Sequence, residues 1–379
     1  MIIDLFLGPF CSAHNPLSFI DPYTNDRGLS GSDLIFFELA KSFKKLGHNV
    51  NLFTTLQPNQ PTEWEGCKVY DFKKRLEIID ESHDAAITIS EPEMLRGLPK
   101  GVTKIHSHQL NGFSYCPEDW EDLADFFISP SNGHLEHHKQ FISKEKHHLW
   151  SIVPDGTDPD VYIADEKTPG KIISTSSGDR GLHWLLSMFP EIKKQVPHAT
   201  LDIYYKIPEG VFEDYEADKN PNVHIDVLET AKRIVYIKEA SKRMKHLGVN
   251  FIGSSSKKKI IKALSKAELF AFPCSTVAFT EGFSISTIEG CSAECAPVIC
   301  GEDCLQDLYQ GVVSMVPSPM SRAENQKAFI ELAVKTLTDK TYREDINKKA
   351  RSFALEHSWN KISKMLEDKI ISFKQKEST

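Results

Sequence analysis

Short apolar runs alternate with longer amphipathic or polar segments along the whole chain, and this alternation limits the fold more than any other feature of the sequence. In the first half, the runs cover residues 1–8, 50–54, 85–89, 102–105 and 126–128. In the second half, they cover residues 171–175, 199–205, 249–252, 268–272, 296–300 and 312–316. Buried parallel strands with helices between them produce this pattern. The sequence therefore predicts an α/β protein made of two doubly wound, Rossmann-like domains.

Composition agrees with two soluble domains. A chain of 379 residues with 40% hydrophobic and 26% charged residues has enough apolar side chains for two cores. A formal charge of -8 argues against an extended surface for nucleic acid, which needs many lysines and arginines facing phosphates. No run approaches the roughly 20 apolar residues that a membrane-spanning helix requires. We therefore expect a cytoplasmic protein with no nucleic-acid partner.

Residues 280–290, Thr-Glu-Gly-Phe-Ser-Ile-Ser-Thr-Ile-Glu-Gly, contain two glutamates, Glu281 and Glu289, between two predicted strands. The segment is therefore expected to be a loop that leads into a helix. Free N–H groups and the macrodipole at the helix N-terminus favour a phosphate. A carboxylate before the helix can accept hydrogen bonds from sugar hydroxyls, and one in its first turn can hold a ribose. The structural alternative is a capping box formed by Ser286 and Glu289.

Arg180 lies in a second loop, Ser177–Gly181, which also follows a predicted strand. Its guanidinium can donate two hydrogen bonds to phosphate oxygens, which a lysine cannot match in geometry. The alternative is a surface ion pair with the neighbouring Asp179, which is worth little in water. Because Arg180 and Glu281 belong to the same predicted domain, we favour the phosphate role.

Gly28–Asp33 forms a third candidate loop, in which small residues let the backbone approach a ligand closely. Gly31 is the candidate for that close approach, and Ser32 or Asp33 is expected to cap the helix that follows. The connection before it, Pro16–Ser30, is either a simple loop or a lid over donor or acceptor. A connection of that length favours the lid.

These motifs, in this order, resemble those of retaining glycosyltransferases of family 4, which have the GT-B fold of two Rossmann-like domains facing across a cleft. The family signature is two glutamates separated by seven residues, and Glu281 and Glu289 match it with Gly282 and Phe283 between them. The segment Val153–Asp158 is similar to a proline-asparagine-glycine-x-aspartate motif of the family. The resemblance covers most of the chain.

The resemblance implies roles for individual residues. Glu281 is expected to hold the hydroxyls of the donor sugar, Glu289 the nucleotide ribose and Arg180 the diphosphate. His108 follows a strand and shares a face with His106; it is expected to contact the donor sugar as a hydrogen-bonding group rather than as a base. Further donor contacts are implied for Gly31, Gly282, Phe283, Ser284 and Ile285.

The implied reaction is transfer of a hexose from a nucleotide diphosphate sugar, with retention, to a glycan or lipid-linked acceptor. The polar segment Asp155–Lys171 marks the domain boundary. We expect an acceptor-side domain over residues 1–160, a nucleotide-sugar domain over 161–354, and a helix over 355–379 that crosses back onto the first domain. A cleft between the domains would hold the ligand.

Three departures from the family leave two alternatives open. Glu289 is followed by Gly290 where the family usually has alanine, Glu294 stands about where a glycine is usual, and Arg180 is the plain basic residue of a loop that often has two. One alternative is a nucleotide-sugar-binding protein with weak turnover. The other is a sugar-nucleotide epimerase of the same architecture, although no acid and base pair for it can be identified.

No metal cofactor is expected. His134 and His138 have helical i, i+4 spacing, but the segment lacks the glutamate that follows the first histidine in a zinc hydrolase, so we interpret them as a solvated helix face. Asp158-Pro159-Asp160 lies in the predicted linker and is treated as incidental. The cysteines of the second half lack paired Cys-x-x-Cys spacing and are expected to be reduced core residues: Cys274, Cys291, Cys295, Cys300 and Cys304.

A basic segment follows residue 256, with lysines at 257, 258, 259, 262 and 266 among apolar residues. A basic amphipathic helix can lie on an anionic membrane surface, although a solvated face is the more common explanation. Peripheral membrane contact therefore stays open as a possible partner interaction.

Overall fold

The computed structural model describes residues 1–12, 17–26, 28–162, 166–206 and 225–377. The chain divides into two compact units: unit 1 comprises residues 1–25, 29–156 and 357–379, and unit 2 comprises residues 26–28 and 157–356. Each main division lies within a few residues of a boundary expected from the sequence. Pro16 and Arg27, which belong to the predicted lid Pro16–Ser30, lie outside the described residues.

Unit 1 contains an eight-stranded sheet with the order β3-β4-β2-β1-β5-β6-β7-β8. Neighbouring strands are parallel except for β3 and β4, which form an antiparallel edge. The strands are β1 (Ile2–Leu7), β2 (Asn49–Thr54), β3 (Glu63–Trp64), β4 (Cys67–Asp71), β5 (Ala85–Ile89), β6 (Thr103–Ser107), β7 (Phe126–Ser129) and β8 (Trp150–Ile152).

The helices of unit 1 are α1 (Pro9–Ser12), α2 (Gly31–Lys45), α3 (Arg75–Ile78), α4 (Asn132–His138) and the C-terminal helix α12 (Trp359–Glu377). Ser30 caps α2: its side chain accepts a hydrogen bond from the backbone of Asp33, and the carboxylate of Asp33 accepts one from the backbone of Ser30. The expected cap at Ser32 is therefore wrong, and Asp33 contributes as the second member of a capping box.

The C-terminal helix α12 packs on unit 1. The ring of Trp359 covers Gly156, where an added Cβ atom would lie 2.8 Å from Trp359 Cδ2. Farther along α12, the rings of Phe373 and Phe126 lie 5.4 Å apart between centroids. These contacts make α12 part of the core of the N-terminal unit.

Unit 2 contains a six-stranded parallel sheet with the order β11-β10-β9-β12-β13-β14. Its strands are β9 (Lys171–Ser174), β10 (Thr200–Ile203), β11 (Val249–Phe251), β12 (Leu269–Phe272), β13 (Ala296–Gly301) and β14 (Ser314–Pro317). Its described helices are α5 (Leu182–Gln195), α6 (Ile225–Arg243), α7 (Lys257–Lys266), α8 (Ile285–Ser292), α9 (Leu305–Tyr309), α10 (Ala323–Thr338) and α11 (Lys340–Glu356).

Both sheets follow from the apolar runs in the sequence. β12 and β13 are buried along their whole length, because helices cover both faces of a parallel sheet. The prediction of two Rossmann-like α/β domains is confirmed. Loops that leave the carboxyl ends of parallel strands are the usual place for ligand-binding residues, and two such loops of unit 2, after β9 and after β12, lead to the predicted donor residues.

Within the described part of the chain, no helix combines the length and the apolar character that crossing a bilayer demands.

Candidate functional site

The loop between β12 and α8 positions the two signature glutamates of unit 2. α8 begins at Ile285 and is capped by Ser284, whose side chain accepts a hydrogen bond from the backbone of Thr287 and whose φ of 72° lies in the left-handed region. The alternative capping box of Ser286 and Glu289 does not form. Glu289 lies in the second turn of α8 rather than in the first turn expected from the sequence.

Asp303, which follows β13, holds the backbone of Glu281. Its Oδ2 accepts hydrogen bonds from the backbone N–H groups of Thr280, at 3.0 Å, and Glu281, at 2.9 Å. The next residue, Cys304, donates its own backbone N–H to the carbonyl oxygen of Glu281 at 3.3 Å. The peptide groups on both sides of Glu281 are thus fixed by one loop. Sequence analysis missed Asp303, because nothing in its local sequence distinguishes it from a surface aspartate.

Arg180 and Glu281 form an ion pair, in which Nη1 of Arg180 donates to Oε2 of Glu281 at 2.9 Å. The predicted alternative, an ion pair of Arg180 with Asp179, is not what the structure shows. Burial raises the pKa of Glu281, and the guanidinium of Arg180 opposes that rise. Nε of Arg180 is buried and makes no hydrogen bond within the described residues. The side chain as a whole is 33% exposed, and a ligand can reach that exposed part.

Gly181 lets the loop of Arg180 interlock with the loop that follows β12. Its φ is 118°, and an added Cβ atom would lie 2.1 Å from the carbonyl oxygen of Pro273. The backbone N–H of Ser275 donates to the carbonyl oxygen of Arg180 at 3.2 Å. A side chain at position 181 would force these two loops apart, so the glycine keeps Arg180 close to Glu281.

Arg233 brings a second guanidinium to the same two loops. From α6, its Nη1 donates to the carbonyl oxygen of Asp179 at 2.9 Å, and also to the carbonyl oxygen of Ser275. Sequence analysis missed Arg233, because it lies on a helix far along the chain from the glycine loop. The loop of Arg180 has one basic residue where the resembling family often has two. In this structure, Arg233 of α6 supplies a second arginine beside that loop.

Glu289 pairs with Lys257, the first residue of α7. Nζ of Lys257 contacts Oε1 of Glu289, and both residues are buried, with 8% and 6% of their surface exposed. Lys257 therefore does not belong to a solvated basic face. Lys258, Lys259 and Lys262 of the same helix are exposed.

Residues 282–285 lead from the signature loop into the N-terminus of α8. Phe283 is 2% exposed and packs in the core of unit 2, near Tyr309. The Tyr309 hydroxyl donates to the carbonyl oxygen of Ser284 at 3.2 Å, which holds the strained residue in place. Gly282 and Ile285 are half-buried. A donor contact at these positions would involve peptide groups at the N-terminus of α8.

Two departures from the family have structural reasons. An added Cβ atom at Gly290 would lie 3.0 Å from Cγ of Phe270 on β12, so an alanine there would require the Phe270 ring to shift by a few tenths of an ångström. Glu294 has a φ of 50°, the left-handed conformation that commonly ends a helix and that a glycine adopts without strain. Glu294 thus has the backbone conformation that a glycine would adopt at this helix end.

His108 and Gly31 belong to unit 1. Gly31 is the first residue of α2. The His108 ring is fully buried: it stacks on Phe113 with 4.2 Å between centroids, and its Nδ1 lies 3.1 Å from the Tyr115 hydroxyl. Burial lowers the pKa of His108, so the ring is neutral. Contacts of His108 and Gly31 with a donor stay predictions.

The interpretation of His134 and His138 as a solvated helix face is wrong. The two residues are 2% and 0% exposed, and their rings lie 4.3 Å apart between centroids on the buried side of α4. Burial lowers the pKa of His134 to about 3. The helical spacing was read correctly, but spacing alone does not tell which side of a helix faces the protein.

Unit 2 therefore holds two ion pairs in the segments that follow β9, β11 and β12: Arg180 with Glu281, and Lys257 with Glu289. Carboxylates accept hydrogen bonds from hydroxyl groups, and a guanidinium binds phosphate oxygens. The arrangement can thus bind a polyhydroxylated phosphate ester.

No protein-family model matches the chain, and a comparison with curated proteins finds no match. Solved structures match it over nearly its whole length. A glycosyltransferase from Rickettsia africae has a TM-score of 0.67 at 13% sequence identity, with 98% of this chain and 98% of that chain covered. Alr3699/HepE of Anabaena, in complex with UDP and glucose, has a TM-score of 0.66 at 12% identity, with 98% and 99% covered.

Sucrose-phosphate synthase from Thermosynechococcus elongatus has a TM-score of 0.63 at 14% identity, with 97% of this chain and 98% of that chain covered. At these identities the likeness concerns the fold. This chain shares with these solved structures the two-domain architecture of the GT-B glycosyltransferases.

Proposed function

We propose that the protein is a retaining glycosyltransferase that moves a hexose from a nucleotide diphosphate sugar to a glycan or lipid-linked acceptor. The observation that carries the proposal is the Arg180–Glu281 ion pair at the carboxyl edge of the unit 2 sheet, beside the N-terminus of α8. A cation and a carboxylate next to free helix N–H groups suit a ligand that joins a phosphate to a sugar.

Arg180 is proposed to bind the diphosphate of the donor. Its side chain is 33% exposed, so a phosphate oxygen can bind the exposed part of the guanidinium while Nη1 still contacts Glu281. When the bond between the sugar and the diphosphate breaks, negative charge grows on the leaving oxygen. Arg180 and the backbone N–H groups at the start of α8 are placed before the reaction to stabilise that charge.

Glu281 is proposed to accept hydrogen bonds from hydroxyls of the donor sugar. Its backbone is fixed by Asp303 and Cys304, so the carboxylate is oriented before the donor arrives. Glu289 is proposed to accept the ribose hydroxyls; a ribose would share this carboxylate with Lys257.

In a retaining reaction of this kind, the leaving diphosphate takes the proton of the acceptor hydroxyl on the face where the new bond forms. No protein base is then required, and Arg180 supplies positive charge at the phosphate without a metal ion. The solved structure of Alr3699/HepE with UDP and glucose supports a UDP-hexose as the first donor to test.

The two alternatives gain little from the geometry. The hypothesis of a binding protein without turnover was based on the departures at Gly290 and Glu294. The structure accounts for Gly290 by the close packing of Phe270 and for Glu294 by its position in a left-handed turn. An epimerase needs an acid and a base on opposite sides of one sugar carbon. Among the described residues, the charged groups that act on the Glu281 carboxyl are Arg180, Asp303 and Asp179. Both aspartates already accept hydrogen bonds, Asp303 from the loop backbone and Asp179 from the Ser177 hydroxyl.

The test is nucleotide release from a panel of UDP, GDP and ADP sugars, with and without a mixed acceptor pool. We expect release from one donor by the wild-type protein and a loss of at least about 100-fold in Glu281→Gln. Glu331→Gln, at an exposed glutamate of α10, serves as the matched control and should retain full activity. Tight nucleotide binding without release would favour the binding protein, and a new sugar nucleotide without acceptor would favour the epimerase.

A further inference from the structure

Three buried histidines meet in unit 1, outside the proposed donor residues of unit 2. His108 follows β6, and His134 and His138 lie one turn apart on α4. One ligand atom from each ring lies within 4.8 Å of the others. The ring of His108 is 5.3 Å from that of His134 and 4.8 Å from that of His138, measured between centroids.

The Nδ1 atom of each ring already has a partner. Nδ1 of His138 donates to the carbonyl oxygen of His134 at 2.7 Å. Nδ1 of His134 lies 2.8 Å from the hydroxyl of Ser129, and Nδ1 of His108 lies 3.1 Å from the hydroxyl of Tyr115. Metal-binding histidines are commonly oriented in this way, with one nitrogen hydrogen-bonded and the other on the ion.

The hydrogen-bond partners also decide where the protons lie. A carbonyl oxygen accepts only, so Nδ1 of a neutral His138 carries the proton. By the same rule, Nε2 of a neutral His134 carries the proton that it donates to the carbonyl oxygen of Leu110, and metal binding requires this proton to move to Nδ1, where the Ser129 hydroxyl can accept it. Nε2 of His108 is buried and makes no hydrogen bond within the described residues. Leaving a buried polar atom without a partner is costly, so this nitrogen calls for an explanation.

We propose that Nε2 of His108, His134 and His138 bind one late transition-metal ion of the zinc class. Neutral imidazoles suit Zn²⁺, Co²⁺, Ni²⁺ and Cu²⁺, whereas Mg²⁺ and Ca²⁺ require oxygen ligands. In a tetrahedral site with bonds near 2.0 Å, ligand nitrogens lie roughly 3.3 Å apart. The three rings, now within 4.8 Å, need small inward rotations to reach that geometry.

Binding would exchange existing contacts for metal bonds. Nε2 of His134 lies 3.1 Å from the carbonyl oxygen of Leu110, and the backbone of Asn111 bonds to the His138 ring; the ion would replace both interactions. A water molecule in the fourth position would lose its proton readily and so reduce the buried charge. The ion would also occupy Nε2 of His108, so metal binding and a hydrogen bond from this nitrogen to a donor sugar exclude each other.

This three-histidine site differs from the zinc-hydrolase motif that was considered for α4 in the sequence analysis. The i, i+4 pair on α4 lacks the adjacent glutamate of a zinc hydrolase, and the third histidine lies at the end of a strand earlier in the chain. The ion would join α4 to the end of β6, and with three protein ligands its fourth position would stay open to water.

The test is a titration of the chelator-treated, full-length protein with Co²⁺, followed through the visible absorption of tetrahedral cobalt. We expect one Co²⁺ per chain in the wild type and none in His138→Gln. His137→Gln, at the neighbouring position of the same helix, is the matched control and should bind like the wild type. Circular dichroism and thermal unfolding of the metal-free proteins establish that each variant is folded.

If His138→Gln fails to fold, Tyr115→Phe replaces it. This substitution keeps all three ligands and removes the hydroxyl that orients His108, so Co²⁺ affinity should fall about 10- to 100-fold. A wild-type protein that binds no Co²⁺, or a folded His138→Gln or Tyr115→Phe variant that binds it as tightly as the wild type, overturns the proposal.

Discussion

The guanidinium of Arg180 and the carboxylate of Glu281 lie 2.9 Å apart, although the two residues come from loops after different strands. If Arg180 binds the donor diphosphate, Arg180→Ala should lower kcat/KM by about 100- to 1000-fold, because the charge on the leaving group loses its main partner. Arg180→Lys should recover part of the activity, since a lysine supplies charge without two directed donors.

Steady-state kinetics with the donor found in the panel measures this effect. Arg243→Ala, at an exposed arginine at the end of α6, is the control. Equal activity of Arg180→Ala and Arg243→Ala would remove Arg180 from the reaction.

Lys257→Met should destabilise the protein by roughly 3–5 kcal/mol, because it leaves the carboxylate of Glu289 buried without its cationic partner. The matched control is Lys259→Met on the same helix, whose pair with Asp26 is exposed to solvent, so its loss should leave stability nearly unchanged. Urea unfolding measures both variants. Similar losses in the two would mean that the Lys257–Glu289 pair contributes no more than a surface pair.

Gly290→Ala should destabilise the protein by about 1 kcal/mol, although alanine is the better helix former. The added methyl group meets the ring of Phe270 at 3.0 Å, and the close packing of helix and sheet leaves it little room. In Phe270→Leu the same change should cost less, which a double-mutant cycle of unfolding free energies detects. A stabilising effect of Gly290→Ala in the wild type would contradict this account.

Glu294→Gly should stabilise the protein by about 1 kcal/mol, since glycine adopts the φ of 50° without strain. Glu294→Ala keeps the Cβ atom and should bring no such gain, so the comparison separates backbone strain from loss of the charge. Thermal unfolding of the three proteins at one pH is sufficient. Equal effects of glycine and alanine would assign the change to the side chain.

Asp155 predicts a pH dependence of stability. Burial raises the pKa of its carboxyl from 3.8 to about 7, and a hydrogen bond with Gln109 opposes the rise. Between these values the unfolded chain loses the proton while the folded protein keeps it, so stability falls as pH increases. The slope is about 1.4 kcal/mol per pH unit.

Asp155→Asn, which introduces the residue that the family motif has there, should remove this slope and make the protein more stable near pH 7. Urea unfolding at several pH values measures the difference between the two proteins. A difference that stays constant across the window would show that Asp155 is ionised in the folded state.

Sequence patterns were sufficient for the strands of unit 2 and for the central strands of unit 1, and insufficient for the edges of the unit 1 sheet. β12 and β13 are continuous apolar runs, because both of their faces are buried. β4, near one edge, alternates buried and exposed residues and includes Lys68 and Asp71, so it lacks the apolar run that marks a strand. Two edge strands, β3 and β8, are only two and three residues long, which leaves too little pattern to recognise.

Prediction of the donor-site side chains from the sequence was limited in a similar way. A motif within one loop, such as the one around Glu281, is visible in the sequence because its members are close along the chain. Asp303 and Arg233 contribute through hydrogen bonds to the backbone of other loops, and such contacts leave no mark on the local sequence. The burial of His134 and His138 likewise depends on what packs against α4.

The placement of α12 in unit 1 has a consequence for biosynthesis. During translation, the strands of the N-terminal unit leave the ribosome first, but Trp359 can cover Gly156 only after all of unit 2 has been made. The N-terminal unit is therefore the first to begin folding and the last to finish. A stop codon shortly before α12 would spare the sheet of unit 2 and leave the earlier-made unit with an uncovered apolar surface for chaperones to bind.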